Sequence, residues 1–127
     1  MNMNVKIDTK EKFAVVTPKL TKLTAIMAEE LEFVFKNILN DSSKHVVLNF
    51  ENVATIDKVA SLTIAKMQQL YYESNRSFVL CKVNNYILDS FRDWELYKIL
   101  NITPSESEAW DMIHMEEIER ELLDDEN

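Results

Sequence analysis

The imidazole and thiol groups, which serve most often as metal ligands or as a catalytic base and nucleophile, are few: His45, His114 and Cys81. A metal site needs imidazole, thiolate and carboxylate groups at workable spacing, and no pair of these three stands at a known ligand spacing. A Ser–His–Asp arrangement is not tied to sequence order, because its members meet only in the fold. The sharp turn that presents such a serine ordinarily uses glycines, and this chain has none. The same absence removes the GxGxxG and GxxxxGK[ST] loops, in which backbone must approach phosphate closely. No residue set suggests a reaction, so the expectation is a chain that is not an enzyme and carries no metal and no cofactor. Both histidines read as partly exposed, and Cys81 as a small core residue.

Five aromatic residues, Tyr71, Tyr72, Trp94, Tyr97 and Trp110, could suggest a platform for stacking bases. Such readers also need a positive groove, and the chain carries a net charge of −8 with its Lys and Arg scattered. Core packing is the better account, and a nucleic-acid partner is not expected. The acidity is local. Residues 116–127 hold seven carboxylates against Arg120 alone, a net of −6, which leaves 15 acidic and 13 basic groups, or −2, for residues 1–115. This acidic stretch has few apolar residues (Ile118, Leu122 and Leu123), so it reads as a partly packed helix end. Its removal is expected to cost no more than about 1 kcal/mol, as for changes away from core features.

One stretch is harder to reduce to packing: Val53-Ala-Thr-Ile-Asp57-Lys-Val-Ala-Ser-Leu62, where a dense apolar strand gives way to a helix. Ligands and partners of open α/β sheets tend to engage the loops at the carboxyl ends of strands. Asp57 is in addition a good helix N-cap, whatever else it does.

The elements that must position this junction follow from hydropathy. With 127 residues, 46% of them hydrophobic, the chain suits one domain with its own core. Its apolar runs are far below the roughly 20 residues of a membrane helix, and the N-terminus lacks a signal-peptide core. A soluble, cytoplasmic domain that does not engage membranes is expected. Val5–Asp8 and Phe13–Thr17 read as two strands in a hairpin. Thr24 caps a helix whose stripe is Met27, Leu31, Val34, Phe35, Ile38 and Leu39. The helix is expected to stop within Asn40-Asp41-Ser-Ser, with an Asn as the least strained residue for the left-handed position that glycine would otherwise fill. His45–Phe50 is too uniformly apolar to alternate, as in a central strand covered on both faces.

A second helix runs from Asp57 to about Ser74, with Val59, Leu62, Ile64, Ala65, Met67, Leu70 and Tyr71 as its apolar side. Phe78–Val83 is another buried strand. A third helix carries Ile87, Leu88 and Phe91 and breaks near Trp94; Ile102-Thr103 makes a short edge strand closed by Pro104. Ser105 and Glu108 form a capping box for a last helix packed through Ala109, Met112 and Ile113. The order ββαβαβα(β)α implies parallel crossovers beside one antiparallel pair.

At the Asp57 junction the chain resembles the STAS domain family, the bacterial anti-sigma-factor antagonists. The family pattern is a strand followed by a stretch like hhLDhSxVxxhDSSGL that opens a helix. Here it stands as Val46-Val-Leu-Asn-Phe-Glu-Asn-Val-Ala-Thr-Ile-Asp57-Lys-Val-Ala-Ser-Leu62. The element order, the Ser77-Phe-Val-Leu80 strand and the Met115-Glu-Glu-Ile-Glu-Arg-Glu-Leu segment are similar too. The resemblance implies a single α/β domain over residues 1–115, with a mixed four- to five-stranded sheet and about four packed helices, followed by the acidic end 116–127. It implies a regulatory protein of transcription signalling that binds a protein partner, of the histidine-kinase-like anti-sigma-factor kind, through Thr55, Asp57, Lys58, Val59 and Ser61. In the family a kinase phosphorylates the second serine after the aspartate. Here Lys58 and Val59 replace the two serines and Ala60 the glycine, so the position equivalent to the phosphorylation site, Val59, has no hydroxyl. The alternative expectation is a small-ligand or nucleotide-binding STAS-like domain.

Overall fold

The computed structural model describes residues 4–125; Met1–Met3 of the N-terminal stretch and Glu126 of the acidic end lie outside them. The strands are β1 (Val5–Thr9), β2 (Phe13–Pro18), β3 (Lys22–Leu23), β4 (His45–Asn49), β5 (Thr55–Ile56), β6 (Phe78–Cys81) and β7 (Ile102–Thr103). The helices are α1 (Ala25–Ser42), α2 (Lys58–Glu73), α3 (Asn85–Asp93) and α4 (Glu106–Asp125). Five strands form one sheet in the order β1-β2-β4-β6-β7, antiparallel only between β1 and β2. The expected mixed sheet and four helices are therefore present. Unforeseen is a second, two-stranded parallel sheet, β3 with β5, pairing Lys22 with Thr55 and Leu23 with Ile56.

The two faces of the sheet follow from the period-2 alternation of side chains. Val16, Val46, Leu48, Phe78 and Leu80 point to one face, where α1, α2 and α3 close the larger core with Leu31, Phe35, Ile64, Met67, Ile87 and Phe91. Val15, Val47, Val79 and Cys81 point to the other face, which only α4 covers, through Ala109 and Ile113. Every residue of β4 and of β6 is buried, which is why neither strand shows polar alternation.

Aromatic contacts brace the larger core. Phe35 meets Phe78 edge-on at 4.9 Å, Tyr71 meets Phe78 at 5.3 Å, and the Tyr71 hydroxyl donates to the Phe35 carbonyl. Phe13 stacks on Trp110 at 5.0 Å, and Arg92 lies over the Tyr97 ring at 4.3 Å. Tyr71, Trp110 and Tyr97 thus serve three different contacts in the fold.

α1 ends inside the expected stretch, at Ser42, but its left-handed cap is Ser43 (φ 53°) rather than an Asn, and the Ser43 N–H reaches the carbonyls of Ile38 and Leu39. Without glycine, Lys82 and Glu95 must also take positive φ, at 56° and 61°, at a cost of roughly 1–2 kcal/mol each. On α2, Val59 and Leu62 face solvent at 58% and 48% exposure, so the apolar side of that helix is narrower than the spacing implied. Other features agree with the sequence reading: α3 ends at Trp94, and Ser105 Oγ accepts the Glu108 amide and meets its carboxylate.

Candidate functional site

All four helices start at the carboxyl end of the parallel strands, each with a side-chain cap: Thr24 for α1, Asp57 for α2, Asn84 for α3 and Ser105 for α4. Asp57 does more than cap its own helix. One carboxylate oxygen accepts the Ala60 amide at 2.7 Å, and the other accepts the Ala25 amide, at the start of α1, at 3.0 Å. Each helix presents unpaired amides and the positive end of its dipole there; a single carboxylate answers both. Asn84 accepts the Ile87 amide at 2.8 Å while donating to the carbonyls of Val53 and Ala54 at 3.2 and 3.1 Å. Asn52 donates to the Pro18 carbonyl, and Ala54 and Thr55 amides both donate to the Thr21 carbonyl. The loop between β4 and β5 is therefore tied to all its neighbours.

The surface these bonds support is partly apolar. Lys58 and Val59 are exposed, Leu62 lies one turn on, and Ile26 of α1, 69% exposed, begins the helix that Asp57 holds in place. Thr55 is half-buried in β5. Ser61 is different: it is fully buried, and its hydroxyl donates to the Asp57 carbonyl at 3.0 Å. Two residues along a helix from Val59 turn a side chain by about 200°, so Ser61 faces the core and offers no side chain to a partner. Of the expected set, Asp57, Lys58 and Val59 share one surface with half-buried Thr55 beside them, and Ser61 lies beneath it.

The remaining reactive residue types lie elsewhere. Cys81 is buried, and burial, with the Glu106 carboxylate adding, pushes its thiol up to about 12, so a thiolate nucleophile is not formed near neutral pH. His114 is exposed on α4, tilted against Trp110. His45 was expected to be partly exposed; it is 5% exposed, at the amino end of β4, opposite the Asp57 junction. Its Nδ1 accepts the Ser77 amide at 2.9 Å, which places the proton on Nε2, 3.3 Å from the Glu117 carboxylate. Burial holds its pKa below the ordinary value, against the opposing pull of Glu117. Next to it Arg120 donates to Ser77 Oγ at 3.1 Å. An open cavity of about 700 Å³ lies at this end, walled by His45, Arg76, Glu117 and Arg120 among others. Sequence reading missed this cluster because it treated residues 116–127 as a charge run; the helical spacing of Ala109, Ile113, Glu117 and Arg120 is the signal that places them on one face.

Among the described residues no three His, Cys, Asp or Glu side chains gather as a metal site, and no helix is long and apolar enough to cross a membrane. The model of the STAS domain family matches residues 4–109. The chain belongs to the STAS domain family. The fold of this STAS domain is shared by solved structures of low identity. A Thermotoga maritima protein, provisionally assigned as an anti-sigma factor antagonist, superimposes with a TM-score of 0.78 at 20% identity, over 87% of this chain and 94% of that one. An anti-sigma-factor antagonist (STAS) domain protein from Planctomyces limnophilus gives 0.73 at 14% identity, over 87% and 97%. The anti-sigma factor antagonist SpoIIAA in its unphosphorylated form gives 0.65 at 12% identity, also over 87% and 97%. A comparison with curated proteins returns no match.

Proposed function

We propose that this STAS domain is a non-enzymatic regulator that binds a protein partner through the start of α2, and that it does so without a phosphorylation switch. The observation that carries the reading is Val59: it is 58% exposed in the first turn of α2, at the position where the family motif has its phosphorylated serine. Phosphate on such a serine adds roughly −1.5 to −2 charge beside the aspartate and repels a partner. A valine there can take no phosphate and adds apolar contact area instead. Lys58 beside it makes the loop less negative, which suits an acidic partner surface. The relatives are described as anti-sigma-factor antagonists, which supports an anti-sigma factor as the partner; the histidine-kinase-like, ATP-binding kind is this proposal's own assignment. The cytoplasm and transcription signalling are the setting this proposal assigns.

Affinity capture with the parent chain tests it. The expected outcome is recovery of a histidine-kinase-like ATPase, lost with Val59→Glu and kept with Lys6→Ser on β1. Incubated with that ATPase and ATP, the parent chain should gain no phosphate by intact mass, whereas Val59→Ser should gain one. Phosphate on the parent chain, or equal capture by Val59→Glu, would overturn the proposal. A small molecule retained by the purified chain in native mass spectrometry would favour the ligand-binding alternative.

A further inference from the structure

We propose that the solvent face of α4 is a docking ridge for a cationic amphipathic helix of another protein. At about 100° per residue, Met115, Ile118 and Leu122 fall on one line of the helix, opposite Ala109 and Ile113, which pack against the sheet. These three side chains are 59%, 41% and 58% exposed. A helix with apolar stripes on two opposite sides has the pattern of one covered on both, yet the sheet covers only one of them.

The spacing and the charges identify the occupant. Met115, Ile118 and Leu122 are separated by three and then four residues, the a-d-a spacing of a helix-pairing seam. In that register Glu119 and Glu121 occupy the flanking e and g positions, both exposed, and Asp111 ends the seam on its amino side. The one Lys or Arg of α4, Arg120, is turned inward to Ser77 and Glu116. Seam and flanks thus offer a partner apolar contact bordered by negative charge.

A second copy of this chain is the wrong occupant. Antiparallel pairing sets Glu119 against Glu119 and Glu121 against Glu121, and parallel pairing also brings acidic flanks together; like charges at these positions oppose association. A helix with Leu or Ile in its seam and Lys or Arg on its flanks complements both features. The seam spans about 10 Å of helix, at about 1.5 Å per residue, so the contact is short and salt-sensitive. This ridge lies beyond residue 109, where the family match ends. It is also separate from the Asp57 surface and does not depend on the reading given for it.

The test uses the full chain, methyl-labelled for NMR, and a synthetic peptide of about three heptads with Leu in the seam and Lys on both flanks. We expect the Met115, Ile118 and Leu122 methyls to shift on titration. Ile118→Ser and Leu122→Ser, which leave the charge unchanged, should each weaken binding at least about tenfold, the loss expected of a buried anchor. Melting temperatures should stay as in the parent, because both side chains are exposed. Lys6→Ser, on β1, should bind as the parent does. Unchanged affinity in both serine variants would reduce the effect to unspecific charge attraction and overturn the proposal. Equal binding of a peptide with Glu on its flanks would also overturn it. So would a concentration-dependent dimer of the parent chain that Ile118→Ser abolishes, since the ridge would then serve a second copy.

Discussion

The carboxylate of Asp57 accepts the backbone amide of Ala25, 32 residues earlier, at 3.0 Å. With its second oxygen on the Ala60 amide at 2.7 Å, Asp57 fixes the starts of α1 and α2 relative to each other. The exposed Lys58 and Val59 stand in the first turn of α2 that this carboxylate caps, and Ile26 in the first turn of α1. The aspartate of the junction thus has a structural role that does not involve phosphorylation: it ties two helix starts together.

Asp57→Ala should therefore cost more than one ordinary cap. A single cap is worth about 0.5–2 kcal/mol, and two are lost here, so a loss of about 1–4 kcal/mol in urea unfolding is expected. Asp57→Asn keeps one oxygen acceptor but turns an amide donor toward the other backbone N–H, so it should restore only part of the loss. Full parental stability in Asp57→Asn would show that the bond to Ala25 contributes nothing.

The acidic end of the chain should matter more than its composition suggests. Truncation after Met115 removes Glu117 from the buried His45 Nε2 and Arg120 from Ser77 Oγ. A buried donor left without its partner costs about 1–3 kcal/mol, so we expect a loss in that range, above the roughly 1 kcal/mol expected from charge pattern alone. Differential scanning calorimetry of the truncated and full chains decides between the two. Glu117→Ala should reproduce most of the loss, whereas Glu119→Ala, on the outer face, should change little.

Stability should fall as pH drops below about 6.5, the unperturbed histidine value. Burial holds the folded-state pKa of His45 below that of the unfolded chain. Between the two values the unfolded state binds more protons, so unfolding free energy rises with pH there and levels off above the unfolded value. The geometry agrees: a proton on Nδ1 would face the Ser77 N–H that this nitrogen accepts. Urea midpoints of the parent chain at pH 7.5 and 5.5 should differ, with the lower at pH 5.5. In His45→Gln, whose side-chain oxygen can still accept from Ser77, the difference should shrink. An equal pH dependence in both chains would move its origin to other groups.

Legible in the residues alone were the order of the four helices and of the five strands of the main sheet, the central position of the two fully apolar strands, the capping residues Thr24, Asp57 and Ser105, and the family. These are set by local rules: helical and strand periodicity, a side-chain oxygen three residues before an amide, and one contiguous motif. Features that join partners distant along the chain were not legible there. Local spacing shows that Asp57 can cap α2, but not that a two-stranded β3–β5 sheet brings Ala25 within reach of its second oxygen. Hydropathy placed Val59 and Leu62 with the buried side of α2, because side-chain type does not reveal which part of a helix overhangs the sheet. The acidic run 116–127 read as solvated, since Glu117 and Arg120 count as charges until helix phase and sheet position set them against His45 and Ser77. Hydrogen bonds and ion pairs of this kind depend on atoms meeting within a few ångströms, and that is settled only when the helices have packed against the sheet.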